Sequence, residues 1–170
     1  MAVIMAAMYP DLYAAVGVHS GLAYGAAHDV RSGFAAMRRG TGQSTQQLTT
    51  VIPLIAFHGD HDTTVSPVNA DHLLDQWLQA TSHEQGRSAQ STKVERGQVT
   101  GGRAYTRSIY HDVSGHAIAE KWLVHKTGHA WSGGSSDGSF TDPRGPNAST
   151  ELLRFFAEHN RKGLESETLL

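Results

Sequence analysis

The sequence predicts an α/β fold in which helices flank a mostly parallel sheet. Short apolar runs such as residues 51–58 (VIPLIAFH) are rich in β-branched side chains and stop at a glycine, as buried central strands do. Helical spacing follows, most clearly in residues 70–78, where the apolar side chains fall on one helix face. Alternation of such strands and helices is typical of a parallel sheet covered on its faces.

The other predicted elements follow from the same signals, together with residues that begin or end helices. In chain order they are a helix over 1–9 ended by Pro10, a strand over 13–19, a helix over 30–39 closed by Gly40, two strands over 103–112 and 117–125 that can form a hairpin, and a last helix begun by Asn147. The first helix is apolar nearly all round and lacks a capping residue. We therefore expect neighbours on every side of it, and a chain that starts inside a domain.

Three stretches carry neither pattern. Residues 81–102 are polar and rich in Gly, Ser and Gln, which predicts a surface loop. Residues 128–146 are Gly-rich, and an irregular loop of that length is usually functional or mobile. Residues 161–170 form a charged tail that we expect to be flexible, so the predicted domain spans residues 1–160.

Composition excludes several classes of protein. The 14 Lys and Arg against 16 Asp and Glu leave a net charge of −2, without the basic surface that nucleic-acid binding needs. No apolar run approaches the roughly 18–20 residues that span a bilayer. The absence of cysteine excludes disulfides, a thiol nucleophile and Cys-based zinc sites. The 11 histidines, in contrast, direct attention to acid–base or metal chemistry.

Polar side chains follow three predicted strands, where ligands bind in open α/β sheets. These places are Ser20-Gly21, residues 58–62 (HGDHD) and residues 128–131 (GHAW). A carboxylate that orients an imidazole, and an imidazole that accepts and returns a proton, form two thirds of a nucleophilic triad. We predict Asp62 and His129 for these catalytic roles, because acid followed by histidine is the order in α/β-hydrolases.

The third member of such a triad, a serine in a G-x-S-x-G turn between a strand and a helix, is not found after any predicted strand; residues 134–138 (GSSDG) match the letters but lie inside the Gly-rich loop. After a predicted strand, the nearest sequence is residues 17–21 (GVHSG), whose serine is one position late, so Ser20 is a poor nucleophile candidate. Ser20 and Trp131 are instead candidate substrate-binding residues, and the Trp131 ring can form a wall for an acyl or aryl group.

The chain resembles the C-terminal part of esterases of the poly(3-hydroxybutyrate) depolymerase family, which also takes in feruloyl- and acetylxylan-esterase-like enzymes. The matching stretches are MAVIMAAMYPDLYAAVGVHSGLAYGAA, FHGDHDTTVSPVNAD, WLVHKTGHAWSGGSSDGSFTDPRGPNAS and ELLRFFAEH. The resemblance implies the C-terminal portion of an α/β-hydrolase fold, with Asp62 as triad acid and His129 as triad histidine. It also implies a serine and an oxyanion loop upstream of Met1.

The same resemblance implies a secreted enzyme that needs no cofactor. Its substrate is an ester, either a hydroxyalkanoate oligomer or a feruloyl or acetyl ester on a polysaccharide. A chain without its nucleophile is expected to be inactive alone, as a truncated fragment.

Each role also has an ordinary structural alternative. Asp60 or Asp62 can simply cap the turn before the next helix, and His129 can be an exposed loop histidine. A metal-dependent hydrolase that uses His58, Asp60 and His61 is a further alternative, although adjacent residues in a turn diverge.

Overall fold

A computed structural model describes residues 1–40, 48, 51–82 and 89–160. Four helices occur in this part of the chain: α1 (Ala2–Met8), α2 (Val30–Arg39), α3 (Val68–Ser82) and α4 (Ala148–Glu158). Five strands form the main sheet: β1 (Val16–His19), β2 (Leu54–Gly59), β3 (Ser91–Gln98), β4 (Ala104–His111) and β5 (Ala117–Val124). A small second sheet pairs β6 (Trp131–Ser132) with β7 (Thr141–Asp142).

The main sheet has the order β1–β2–β5–β4–β3 and is mixed. The pairs β1–β2 and β2–β5 are parallel, whereas β5–β4 and β4–β3 are antiparallel. The predicted α/β class is confirmed, but the prediction of a mostly parallel sheet is wrong. β4 and β5 are antiparallel because the connection between them is short: it is long enough for a hairpin and too short for the crossover that a parallel pair needs.

The inner strand β2 is buried on both faces, as its apolar sequence predicts. Leu54 and Ala56 belong to a core with Trp77 of α3, while Ile55 and Phe57 belong to a second core on the opposite face. Successive side chains of a strand point to opposite faces, so one strand anchors both cores. This burial on both sides explains why β2 lacks polar alternation.

The strand β3 lies within residues 81–102, which were predicted as a loop, so that prediction is wrong. Residues 91–98 (STKVERGQ) pair only with β4 and form the edge of the sheet. Most of their side chains are exposed on both faces. An edge strand without an apolar face gives no period-two signal, and its charged residues suit an edge that must not pair further.

The helices agree closely with their predicted positions. Helix α2 matches its predicted bounds, and Asp29 caps it by accepting the Ser32 N–H at 2.7 Å. Helix α1 is confirmed, but its expected burial on every side is wrong, because Val3 and Ala6 are buried while Met8 is exposed. The predicted tail over 161–170 lies outside the described residues.

The approach of the β2 end to the loop after β5 requires glycine at position 59. A Cβ atom there would collide with the carbonyl oxygen of Thr127. In contrast, a Cβ atom at Gly33, inside α2, would meet nothing closer than the Ala27 Cβ at 4.0 Å.

We expect Gly59→Ala to lower the free energy of unfolding by about 1–3 kcal/mol, because backbone must move to admit the methyl group. Gly33→Ala is the matched control and should raise that free energy by about 0.5–1 kcal/mol, as alanine favours the helix. Equilibrium urea unfolding measures both changes. Equal effects of the two substitutions would contradict the close approach.

Candidate active site

The carboxylate of Asp62 is built into the turn that follows β2. The N–H of Asp62 donates to the Gly59 carbonyl at 3.2 Å and closes the turn. Its Oδ1 accepts the N–H groups of Thr64 at 3.0 Å and Val65 at 2.8 Å. The Asp62 side chain is fully buried. The predicted turn cap is therefore real, and it leaves Oδ2 for a second partner.

That second partner is His129. Its Nδ1 lies 2.8 Å from Asp62 Oδ2, and since a carboxylate only accepts, Nδ1 carries the proton. The expected hydrogen bond between these side chains is present, and it coexists with the turn cap. The His129 side chain is 35% exposed, so its Nε2 is the nitrogen available to accept a proton from a reacting group.

Asp62 is held in its charged form. Burial acts to raise the pKa of this carboxyl, but the N–H groups of Val65 and Thr64 and the His129 ring outweigh it. The net result is a pKa below the ordinary value for aspartate. A buried anion hydrogen-bonded to Nδ1 fixes the imidazole tautomer, as the acid of a triad does.

His58, the last residue of β2 before Gly59, contacts the same turn. Its Nε2 donates to the Val65 carbonyl at 2.9 Å and lies 3.5 Å from Asp62 Oδ2. Burial lowers the pKa of His58, against the opposing effects of Val65 and Asp62, so the ring is neutral. Within the described residues its buried Nδ1 has no hydrogen-bond partner.

Asp60 serves a different pair. Its Oδ2 accepts the Nδ1–H of His125 at 2.8 Å, and its Oδ1 accepts the Lys126 N–H at 2.6 Å. The turn therefore sends Asp60 and Asp62 to different histidines. The residues His58, Asp60 and His61 do not form a metal site, since no group of three or more such ligands is found among the residues that the structure describes.

The loop carrying His129 is tied down at both ends. Thr127 accepts the His61 N–H at 3.0 Å, which joins this loop to the turn after β2. Further along, Asp142 Oδ2 accepts Arg103 Nε at 2.7 Å and the Thr127 hydroxyl at 3.2 Å. The long loop predicted over 128–146 is present, with β6 and β7 as a short ladder inside it.

The structure places both predicted substrate-binding residues beside a histidine that the sequence analysis missed. His19 stacks on the Trp131 ring with centroids 4.8 Å apart, and its Nδ1 lies 3.3 Å from Ser20 Oγ. Ser20 has a φ of 52°, a left-handed conformation rarely adopted by serine. The sequence does carry a signal for His19, because this residue ends β1 at the same end of the sheet at which Asp62 follows β2.

We expect acid to destabilise the fold through His19 before most carboxylates are protonated. Burial, then the charges of His58 and His129, lower its pKa from 6.5 to about 4 despite Asp62, so between these values only the unfolded chain binds this proton. Stability should therefore fall as the pH drops through this window, and His19→Phe should remove part of the fall. Urea unfolding at pH 7 and at about pH 4.5 measures this fall in the free energy of unfolding. The exposed His116→Phe is the control and should leave the fall as in wild type. An unchanged pH dependence in His19→Phe would contradict the buried neutral ring.

The family model described as Esterase PHB depolymerase matches residues 1–100, which include β1, β2 and the Asp62 turn. Comparison with curated proteins gave no match. His129 lies beyond the matched region, so its place rests on geometry. Because the match covers more than half of the 170 residues, the chain belongs to the PHB depolymerase family of esterases.

Proposed function

We propose that this protein hydrolyses carboxylic esters by acyl transfer through a serine, with His129 as the base and Asp62 as the acid that orients it. The observation that carries the proposal is the 2.8 Å hydrogen bond between His129 Nδ1 and Asp62 Oδ2 at the end of a buried parallel strand. The matched esterase family supplies the reaction class. The domain over 1–160 is then the C-terminal portion of an α/β-hydrolase fold.

The mechanism follows from the state of the two side chains. The Nε2 of His129 accepts the proton as the serine oxygen attacks the ester carbonyl, and Asp62 stabilises the imidazolium that forms. His129 then returns the proton to the leaving alcohol, which departs from the acyl-enzyme. Water attacks the acyl group by the same route, with His129 as base again, and releases the carboxylic acid. These steps use no cofactor.

The serine comes from outside these 170 residues. The G-x-S-x-G match at residues 134–138 (GSSDG) lies in the loop between β6 and β7 and does not join a strand to a helix. The Ser20 hydroxyl contacts His19 rather than the His129–Asp62 pair. We place the nucleophile and one oxyanion-hole donor upstream of Met1. The same placement makes the 170-residue chain inactive by itself.

The substrate is the ester of a hydroxyalkanoate oligomer or of a polysaccharide bearing feruloyl or acetyl groups. A cleft of about 410 Å³ is lined by α1, the end of β1 and the segment after it, and one of its lining residues is His19, which stacks on Trp131. The Trp131 ring is 38% exposed and offers a flat apolar wall for an acyl or aryl group. Secretion fits a polymer substrate, and no helix among the described residues is long and apolar enough to cross a membrane.

We expect His129→Ala to abolish ester hydrolysis in a version of the protein that includes the upstream serine. Loss of the base should lower turnover by about 10⁴–10⁶-fold, and Asp62→Asn by about 10⁴-fold because the tautomer is no longer fixed. Release of p-nitrophenol from p-nitrophenyl butyrate measures it.

The matched control is His125→Ala, which removes the other histidine–aspartate hydrogen bond of the same length. This variant should keep its turnover within a few-fold of wild type. Turnover that survives His129→Ala, or that falls equally in His125→Ala, would overturn the assignment of the base.

The 170-residue chain by itself should release no p-nitrophenol above the buffer background. In this proposal the serine and the oxyanion donors both lie upstream, and the oxyanion donors supply the residual rate that is left when triad residues are removed. Hydrolysis by the purified chain that Ser20→Ala abolishes would contradict this expectation and make Ser20 the nucleophile. Hydrolysis that a chelator abolishes would contradict the serine mechanism.

A further inference from the structure

A row of stacked rings crosses one face of the sheet and ends beside the candidate site. Phe57 of β2 lies opposite His19 of β1 and Trp122 of β5 in the strand register. The ring centroids are 5.8 Å apart for His19–Phe57 and 5.0 Å apart for Phe57–Trp122. At one end the row continues to Tyr105, and at the other His19 stacks on Trp131, two residues after His129.

His19 also makes a polar contact with the same loop. Its Nε2 lies 3.1 Å from the backbone nitrogen of Ser132, whose N–H donates to it. Nε2 must therefore carry a lone pair, and the neutral ring has its proton on Nδ1. Ser132 is itself buried and donates its hydroxyl to the Pro146 carbonyl at 2.7 Å, so the contact joins β1 to a fixed part of the loop.

We propose that His19 is a positioning residue that holds the His129–Ser132 segment against the end of β1 and thereby keeps the His129 ring on Asp62. Its catalytic meaning rests on the function proposed above, whereas the positioning itself is a property of this chain without substrate. Two contacts on one ring fix the segment, the stack on Trp131 and the hydrogen bond from Ser132.

Histidine is the side chain that provides both contacts. Phenylalanine would keep the stack but could not accept the Ser132 N–H, and glutamine would offer an acceptor without a ring. The groups that face His19 are His58, His129 and Asp62. Burial first, and then the charges of His58 and His129, lower the pKa of His19 to about 4 against the opposing charge of Asp62. At neutral pH Nε2 of His19 is therefore unprotonated and can accept the Ser132 N–H.

The test measures the loop directly by NMR, with ¹⁵N-labelled 170-residue chain and the variants His19→Phe and His19→Gln. In His19→Phe the Ser132 amide should exchange with solvent about fivefold faster, the effect of losing one hydrogen bond. In both variants the nitrogen shifts of His129 should change from a single Nδ1–H tautomer to a mixture. Exposed His116→Gln is the control and should leave both signals as in wild type.

Several outcomes decide the proposal. A His129 that stays a pure Nδ1–H tautomer in both variants would overturn it, and would leave His19 a packing residue whatever its effect on the unfolding midpoint. If the variants fail to fold, wild type still tests it, because a His19 protonated on Nε2 at pH 7 excludes the Ser132 contact. These signals need no turnover, so an inactive His129→Ala and an altered loop in His19→Phe report on separate claims.

Discussion

The parallel pairing of β2 with β5 is the interaction on which the candidate site depends. It places the turn after one strand beside the loop after the other, with Gly59 opposite Val124 in the register. Backbone bonds then join the two segments, since the Asp60 N–H donates to Val124 and the His61 N–H to Thr127. Asp62 and His129 are 67 residues apart in the sequence, and they meet because they follow the carboxyl ends of these two paired strands.

The pairing tolerates no side chain at its end. Gly59 lies so near the Thr127 carbonyl that a methyl group would separate the turn from the loop. A displacement of about 1 Å at catalytic groups is enough to cost much of their effect. The buried strand thus sets the stability of the fold and the geometry of the site through the same residue.

Two histidine–aspartate pairs lie at the carboxyl ends of β2 and β5, and their surroundings distinguish them. His125 is bonded to Asp60, and its Nε2 accepts the Thr106 hydroxyl at 3.0 Å. The order of hydroxyl, imidazole and carboxylate is that of a triad, but Thr106 lies within β4, where the backbone N–H groups serve the ladder with β5. Around His129 the described residues supply no partner for Nε2. A nitrogen that is to accept a proton must be free of a competing donor, which favours His129 as the base.

The parts of the fold that could be predicted are those with strong local signals. The buried strand β2 carries an apolar run that stops at a glycine, α2 is closed by Gly40, and α4 begins after its cap Asn147. The edge strand β3 escaped prediction because both of its faces meet solvent, which removes the alternation that identifies strands. The sheet direction also escaped, because it depends on which strands pair.

The candidate site divides in the same way. Asp62 and His129 could be proposed because each follows a strand directly and matches a familiar order along the chain. The structure adds the partners that separate the two aspartates of the turn: Asp62 accepts the N–H groups of Thr64 and Val65, whereas Asp60 accepts the Nδ1–H of His125. The place of His19 at the end of β1 could be predicted, but its stacking on Phe57 and Trp131 depends on the pairing register and the loop path, neither of which a single sequence displays.

Three imidazoles surround one buried carboxylate, and their electrostatics assign them different tasks. Burial keeps His19 and His58 neutral, since it lowers the pKa of both rings. Each uses its neutral form structurally: His58 donates to the Val65 carbonyl, and His19 accepts from Ser132. The negative charge of Asp62 is therefore not neutralised by either ring. In the proposed mechanism that charge stabilises the one imidazolium that forms, on His129, at the moment it takes a proton from the nucleophile.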